Sequence, residues 1–135
     1  MKKKAIIISI KSTTLTSKEK LLLAKEKPWG LILFKRNIKS SIQTKKLINN
    51  IRNYTKDKRF PILIDEEGFS VSRLRDVFNH NVNANYFGNL YKINKKIAVN
   101  LYKSYLRSLS EELKKLGINI NTIPVLDILR QNTNS

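Results

Sequence analysis

Cysteine is absent from the chain, and histidine occurs once, at position 80. The first absence removes disulfide scaffolds, thiolate metal sites and cysteine nucleophiles, and mildly favours a cytoplasmic location. With His80 alone, any site that needs two imidazoles from one chain is removed as well. The four glycines, at 30, 68, 88 and 117, are too scattered to form a Gly-rich phosphate loop. Apolar runs are short: none approaches the roughly 20 residues that a membrane span requires. The opening MKKKAIIISIKS imitates a signal peptide, but its apolar part covers only residues 5–10, is closed by Lys11 and lacks a small-residue cleavage site. Acidic residues are few as well, ten against 27 Lys and Arg, for a net charge of +17.

A surplus of this size attracts polyanions, nucleic acid first. Its distribution argues against a dedicated site. Lysines occur in every segment, and only seven of the basic residues are arginine, the better reader of bases and phosphates. Lys, Ile and Asn are abundant together and share AT-rich codons, so genome composition accounts for all three. A polyanion site is the alternative.

The length of 135 residues and an apolar fraction of 41% suit one folded domain rather than a disordered chain. Residues 5–10 form a β-branched run of the kind covered on both faces in a parallel sheet. Thr16 and Glu19 make a capping box before Leu21, Leu22 and Leu23, predicting a short helix. Residues 31–34 read as a second strand. Ser40 and Gln43 give another capping box, ahead of a helix over about residues 41–56 with Ile42, Leu47, Ile48, Ile51 and Tyr54 on one side. A third strand covers residues 61–65, followed by a long polar loop to about residue 90. Ile93, Ile97, Leu101, Tyr105, Leu109, Leu113 and Leu116 then line one long helix ended by Gly117. A last strand covers residues 118–126. The order β-α-β-α-β-loop-α-β predicts a parallel α/β sheet, either a small open one or part of a (β/α) barrel. A complete barrel takes about 250 residues, so the chain offers about half of one.

In either architecture the functional groups gather where the strands end. Residues 34–37 leave the second strand, Asp65, Glu66 and Glu67 leave the third, and Asp127 leaves the fourth. Asp65 directly ends an apolar run, so an ionised carboxylate there needs hydrogen-bonding partners, which sugar hydroxyls or a cation would supply. The plain alternative is a solvated acidic loop that pairs with Arg73 or Arg75. Three adjacent carboxylates splay too far apart to converge readily on one metal ion. Trp29, beside Pro28, reads as a packing residue at the bottom of the sheet, and His80 as a surface residue.

The segments KPWGLILFKRN (27–37), LIDEEGFSVSRL (63–74) and INTIPVLD (120–127) resemble glycoside hydrolase family 3, and within it the bacterial β-N-acetylhexosaminidases of cell-wall recycling. That family carries a G-[FV]-I-L-F-x-R-N strand, a D-Q-E-G-G-R-V-Q-R-[LF] loop and a P-V-L-D strand in the same order and at similar separations. The resemblance implies about the first four βα units of a (β/α)8 TIM barrel, one amino-terminal domain portion over residues 1–135. It implies that Asp65 and Arg73 bind the terminal N-acetylglucosamine of a glycan. Asp127 and Glu67 would organise that site, with no cofactor or metal. Phe69 and Ser70 depart from the family, which has glycine and arginine there.

The resemblance also implies what the chain lacks. The family's nucleophilic aspartate, its K-H-F-P-G-H-G acid/base loop and its G-D-R-[SA]-F arginine have no counterpart among these residues, and His80 lies outside the histidine motif. A retaining mechanism needs a nucleophile and an acid/base flanking one bond. The expectation is therefore a cytoplasmic, membrane-free amino-terminal fragment of a glycosidase, inactive alone. Its open edges would favour self-association or pairing with a missing carboxyl-terminal half. The alternative is a non-catalytic basic module that holds sugar or nucleic acid.

Overall fold

A computed structural model describes residues 3–68, 71–78 and 82–124. The elements run β1 (Lys4–Ile8), α1 (Ser17–Glu26), β2 (Pro28–Leu33), a 3-10 turn (Lys35–Asn37), α2 (Ser41–Thr55), β3 (Ile62–Ile64), α3 (Ala84–Ile93), α4 (Lys95–Leu116) and β4 (Ile120–Asn121). All strand pairings are parallel and the sheet order is β1-β2-β3-β4. Each strand therefore lies beside the next in sequence, with helices as crossovers, which is how a (β/α) barrel is built.

Local chemistry sets the helix ends. Thr16 Oγ1 accepts from Glu19 N while the Glu19 carboxylate accepts from Thr16 N, so the first capping box is reciprocal. The second is not. Ser40 Oγ accepts from Gln43 N, but the Gln43 amide accepts from Lys39 N and donates to the carbonyls of Thr13 and Asn37. Gly117, at φ 93°, ends α4 as its position predicts. The core joins Leu31, Leu33, Ile62 and Ile64 of the sheet to Ile48 and Ile51 of α2 and Leu109, Leu113 and Leu116 of α4.

Several expectations need correction. The β-branched run of β1 is not covered on both faces: its first four residues are exposed, Ile6 and Ile7 at 47% and 46%. β1 is an edge strand with a partner on one side only among the described residues. Trp29 is 41% exposed rather than packed. The polar segment after β3 contains α3. The apolar stripe expected along one helix is divided at Asn94, whose side chain caps α4 by accepting from Ile97 N. Only the carboxyl-terminal part of that stripe is buried: Leu109, Leu113 and Leu116 join the core, whereas Ile93, Ile97 and Leu101 are exposed. Among the described residues, no helix is long and apolar enough to cross a membrane.

Candidate functional site

The carboxyl ends of β2, β3 and β4 meet at one edge of the sheet. Pairing of Leu33 with Ile64, and of Ile64 with Asn121, puts Phe34, Asp65 and Thr122 side by side just past the strands. Asp65 leaves β3 half-buried. Its Oδ1 accepts from Thr122 Oγ1 at 2.8 Å, and its Oδ2 lies 3.6 Å from Arg73 Nη2. The two charged side chains are 24% and 30% exposed, so the pair is partly screened and still reachable by a ligand. Arg73 also sits against the Phe34 ring, 5.8 Å from its centroid, with Arg36 closer at 4.6 Å. Arg73 Nε is buried with no hydrogen-bond partner among the described residues.

Glu66 makes this geometry. It is fully buried, and its Oε2 accepts from the backbone N–H of Arg73 at 2.8 Å and of Leu74 at 2.9 Å. A carboxylate taking two backbone donors is a strong, directional tie. It folds the segment after β3 back over the strand end and delivers Arg73 to Asp65. Glu67 N closes the same loop on Val71 O at 2.8 Å. Tyr105 of α4 stands beside the loop, its hydroxyl 3.6 Å from where a Cβ on Gly68 would lie. Burial raises the pKa of its phenol above the ordinary value, and the Glu66 carboxylate and Tyr102 push it further the same way.

The residues after β2 serve the framework. Asn37 is buried; its Nδ2 donates to Ile10 O and Ser12 O, and its Oδ1 accepts from Phe34 N. Arg36 donates to Ile10 O and Ser9 Oγ. Together they hold the segment that leaves β1.

Of the residues expected at the site, Asp65 and Arg73 are brought together, in the ion pair that the plain acidic-loop reading also foresaw. The Glu67 carboxylate makes no ion pair among the described residues, while its neighbour Glu66 does the organising. Asp127 lies outside the described residues, as do Phe69, Ser70 and His80. Among the described residues no cluster of three or more His, Asp or Glu could hold a metal ion.

A parallel βα array with a polar pair at the carboxyl ends of its strands defines the class: part of a (β/α) barrel, a fold whose sites gather at that rim. No family model matches the chain. Over 123 residues it is 30% identical to a protein of Nitrosomonas eutropha named beta-hexosaminidase, covering 91% of this chain and 35% of that one. NagZ from Neisseria gonorrhoeae superimposes with a TM-score of 0.86 at 30% identity, covering 93% of this chain and 38% of NagZ. A glycoside hydrolase family 3 β-N-acetylglucosaminidase from Paenibacillus matches with a TM-score of 0.64 at 25% identity, over 90% of this chain and 23% of that one. Over most of its length the chain is thus similar to proteins named beta-hexosaminidase and to family 3 β-N-acetylglucosaminidases, and it shares the fold of part of their barrel domain. It spans little more than a third of the length of the relatives it matches.

Proposed function

We propose that this chain forms the sugar-holding side of a β-N-acetylhexosaminidase barrel, and that Asp65 and Arg73 take the hydroxyl groups of a terminal N-acetylglucosamine. The observation that carries this is the half-buried Asp65–Arg73 pair at the strand ends, held from one side by Thr122 and from the other by the Glu66-anchored loop. A carboxylate accepts from, and a guanidinium donates to, the vicinal hydroxyls of a sugar, and a ligand that enters can exchange the 3.6 Å ion pair for shorter bonds to both. The Phe34 ring beside Arg73 adds an apolar surface of the kind that receives a sugar face. NagZ has also been solved with N-trifluoroacetyl-D-glucosamine, a compound of the substrate class proposed here.

The reaction assigned to the whole enzyme is release of terminal β-N-acetylglucosamine from peptidoglycan fragments in the cytoplasm. In this assignment the present chain binds and orients the sugar, and groups from the rest of the barrel carry the covalent steps. The exposed apolar residues at the two lateral ends of the array, Ile6 and Ile7 on β1 and Ile97 and Leu101 on α4, are the surfaces that the remaining βα units would cover. The test is a titration with N-acetylglucosamine followed by NMR. Shifts should concentrate on Asp65, Arg73 and Thr122, and Asp65→Asn should weaken binding at least tenfold while leaving the melting temperature within a few degrees. The chain alone should not turn over a chromogenic β-N-acetylglucosaminide. Equal sugar affinity in Asp65→Asn would overturn the assignment.

A further inference from the structure

We infer that the opposite end of the sheet, where the strands begin, carries a second binding site, one for a small aromatic anion such as an aryl phosphate or carboxylate. A cavity of about 460 Å³ opens there, among the residue preceding β1, the carboxyl ends of α1 and α2, and the entry to β3. That volume lies in the range of small-molecule sites, about 300–1,000 Å³. Leu23 and Phe60, both buried, form its apolar floor, and Tyr54 stands at its side half exposed. Lys3, Lys27 and Lys56 supply its charge.

Among the described residues Asp57 is the only acidic one lining the cavity, and it is engaged by Lys3 at 2.7 Å. Lys27 and Lys56 make no ion pair among the described residues, so the cavity carries an excess of two positive charges over an apolar floor. An anion answers that charge. The aromatic character of the ligand follows from the rings already present: Lys3 Nζ lies 5.9 Å from the Phe60 centroid and Lys20 Nζ 5.5 Å from the Tyr54 centroid. A third ring entering beside Tyr54 would meet both an aromatic face and a nearby cation.

The backbone gives a second, independent reason. Lys27 and Lys56 are the C-caps of α1 and α2, and both hold left-handed backbone, at φ 49° and φ 52°. Glycine suits that geometry best and asparagine next, and asparagine is plentiful in this chain. Lysine stands at both places instead, and these are the only residues other than glycine with positive φ among the described residues. Backbone strain kept at two positions that share one cavity marks a use for the side chains. Complementing the helix dipoles does not account for it, since Lys25 in the last turn of α1 and Arg52 in that of α2 already do so. The cavity belongs to the other end of the strands from Asp65, so the inference does not rest on the sugar-binding reading.

The test titrates the full chain with phenyl phosphate, with inorganic phosphate and benzyl alcohol as the charge-only and ring-only controls, followed by NMR. Phenyl phosphate should bind at least ten times more tightly than either control and shift the resonances of Leu23, Tyr54 and Phe60. Lys27→Gly/Lys56→Gly relieves the backbone while removing both charges, so its melting temperature should hold or rise while its affinity for phenyl phosphate falls at least tenfold. Lys27→Arg/Lys56→Arg keeps the charges and should bind within about threefold of the parent. Unchanged affinity in the glycine variant overturns the inference. So does an equal response to inorganic phosphate, or an arginine variant that loses binding as fully as the glycine one.

Discussion

Asn121 grips the Glu66 peptide on both sides: its Oδ1 accepts from Glu66 N at 3.0 Å and its Nδ2 donates to Glu66 O at 3.1 Å. A side chain of β4 thereby stands in for a further rung of the sheet beside β3, at the point where the β3 backbone turns away. Asp65, one residue earlier, is held against Thr122, and the loop that carries Arg73 is hung from the next residue.

Replacing Asn121 with alanine removes both bonds and leaves the Glu66 N–H and carbonyl to find other partners. At about 0.5–1.5 kcal/mol for each bond, and more where a buried group is left unpaired, the expected loss of stability is about 1–3 kcal/mol. Chemical denaturation measures it. If the proposed sugar site is correct, Asn121→Ala also weakens N-acetylglucosamine binding, because Asp65 loses its fixed neighbour. A variant as stable as the parent would show that the clamp contributes nothing net.

Gly68 is the position in this loop that admits no side chain. Its φ is +115°, and a Cβ there would lie 2.4 Å from Val82 O. The backbone conformation alone costs a residue with a Cβ on the order of 1–3 kcal/mol, and the overlap with a carbonyl adds to it. Gly68→Ala should therefore lower the denaturation midpoint clearly, whereas Gly88→Ala, at a helical position with no atom within 4 Å of the new Cβ, should hold or raise it. Comparing the two midpoints separates the demand of this loop from the general effect of glycine.

How far the site could be read in advance depended on what each residue's neighbours in sequence reveal. Asp65 was recognisable because it ends the apolar run Ile62–Ile64, so its place at a strand end follows from the pattern alone. Glu66 was not singled out, because three consecutive carboxylates look alike in sequence. The available signal was the two-residue alternation of a strand, which sends Glu66 to the side opposite Asp65 and Glu67. The β1 run misled for a different reason. Its composition reports a preference for strand, but coverage depends on which elements flank it, and β1 lies at the edge. The division of the long helix at Asn94 was hidden by the apolar stripe running through it. The capping preference of asparagine was the contrary sign.

Acid should weaken the fold partly through the α1 capping box. Burial by itself raises the Glu19 pKa. The backbone N–H groups of Thr16 and Lys11, with the Thr16 hydroxyl and the Lys11 charge, outweigh it, so the net shift is below the ordinary 4.5. A carboxyl whose folded pKa is depressed contributes stability that is fully present above its unfolded pKa. That contribution is lost as pH falls through the folded value, so the window lies below about pH 4.5. Asp57, lowered by its bond to Lys3 and by Arg59 N, titrates in the same direction. Glu19→Gln should thus be less stable than the parent at pH 7, with the difference shrinking by pH 3. Urea midpoints at the two values check it, and a constant difference would remove Glu19 from the account.

The exposed apolar residues predict association. Ile6 and Ile7 are exposed on an edge strand, and an uncovered edge offers unpaired backbone groups to another chain. At the other end of the array Ile93, the last residue of α3, is 83% exposed, and Ile97 and Leu101, one turn apart on α4, are exposed as well. Water contact with this much apolar surface is unfavourable by roughly 25 cal/mol for each Å² that a partner could cover. The net charge of +17 opposes close approach of two copies, and salt screens that repulsion while leaving the apolar term in place. Sedimentation of the isolated chain should therefore show association that grows with protein concentration and with added salt. Ile7→Lys, on the edge strand, and Ile97→Lys, on α4, should each reduce it without lowering the free energy of unfolding by more than about 1 kcal/mol, as both sites are already half in water. Association that salt abolishes would mean that charge rather than apolar surface drives it, and would count against these two faces as the contact.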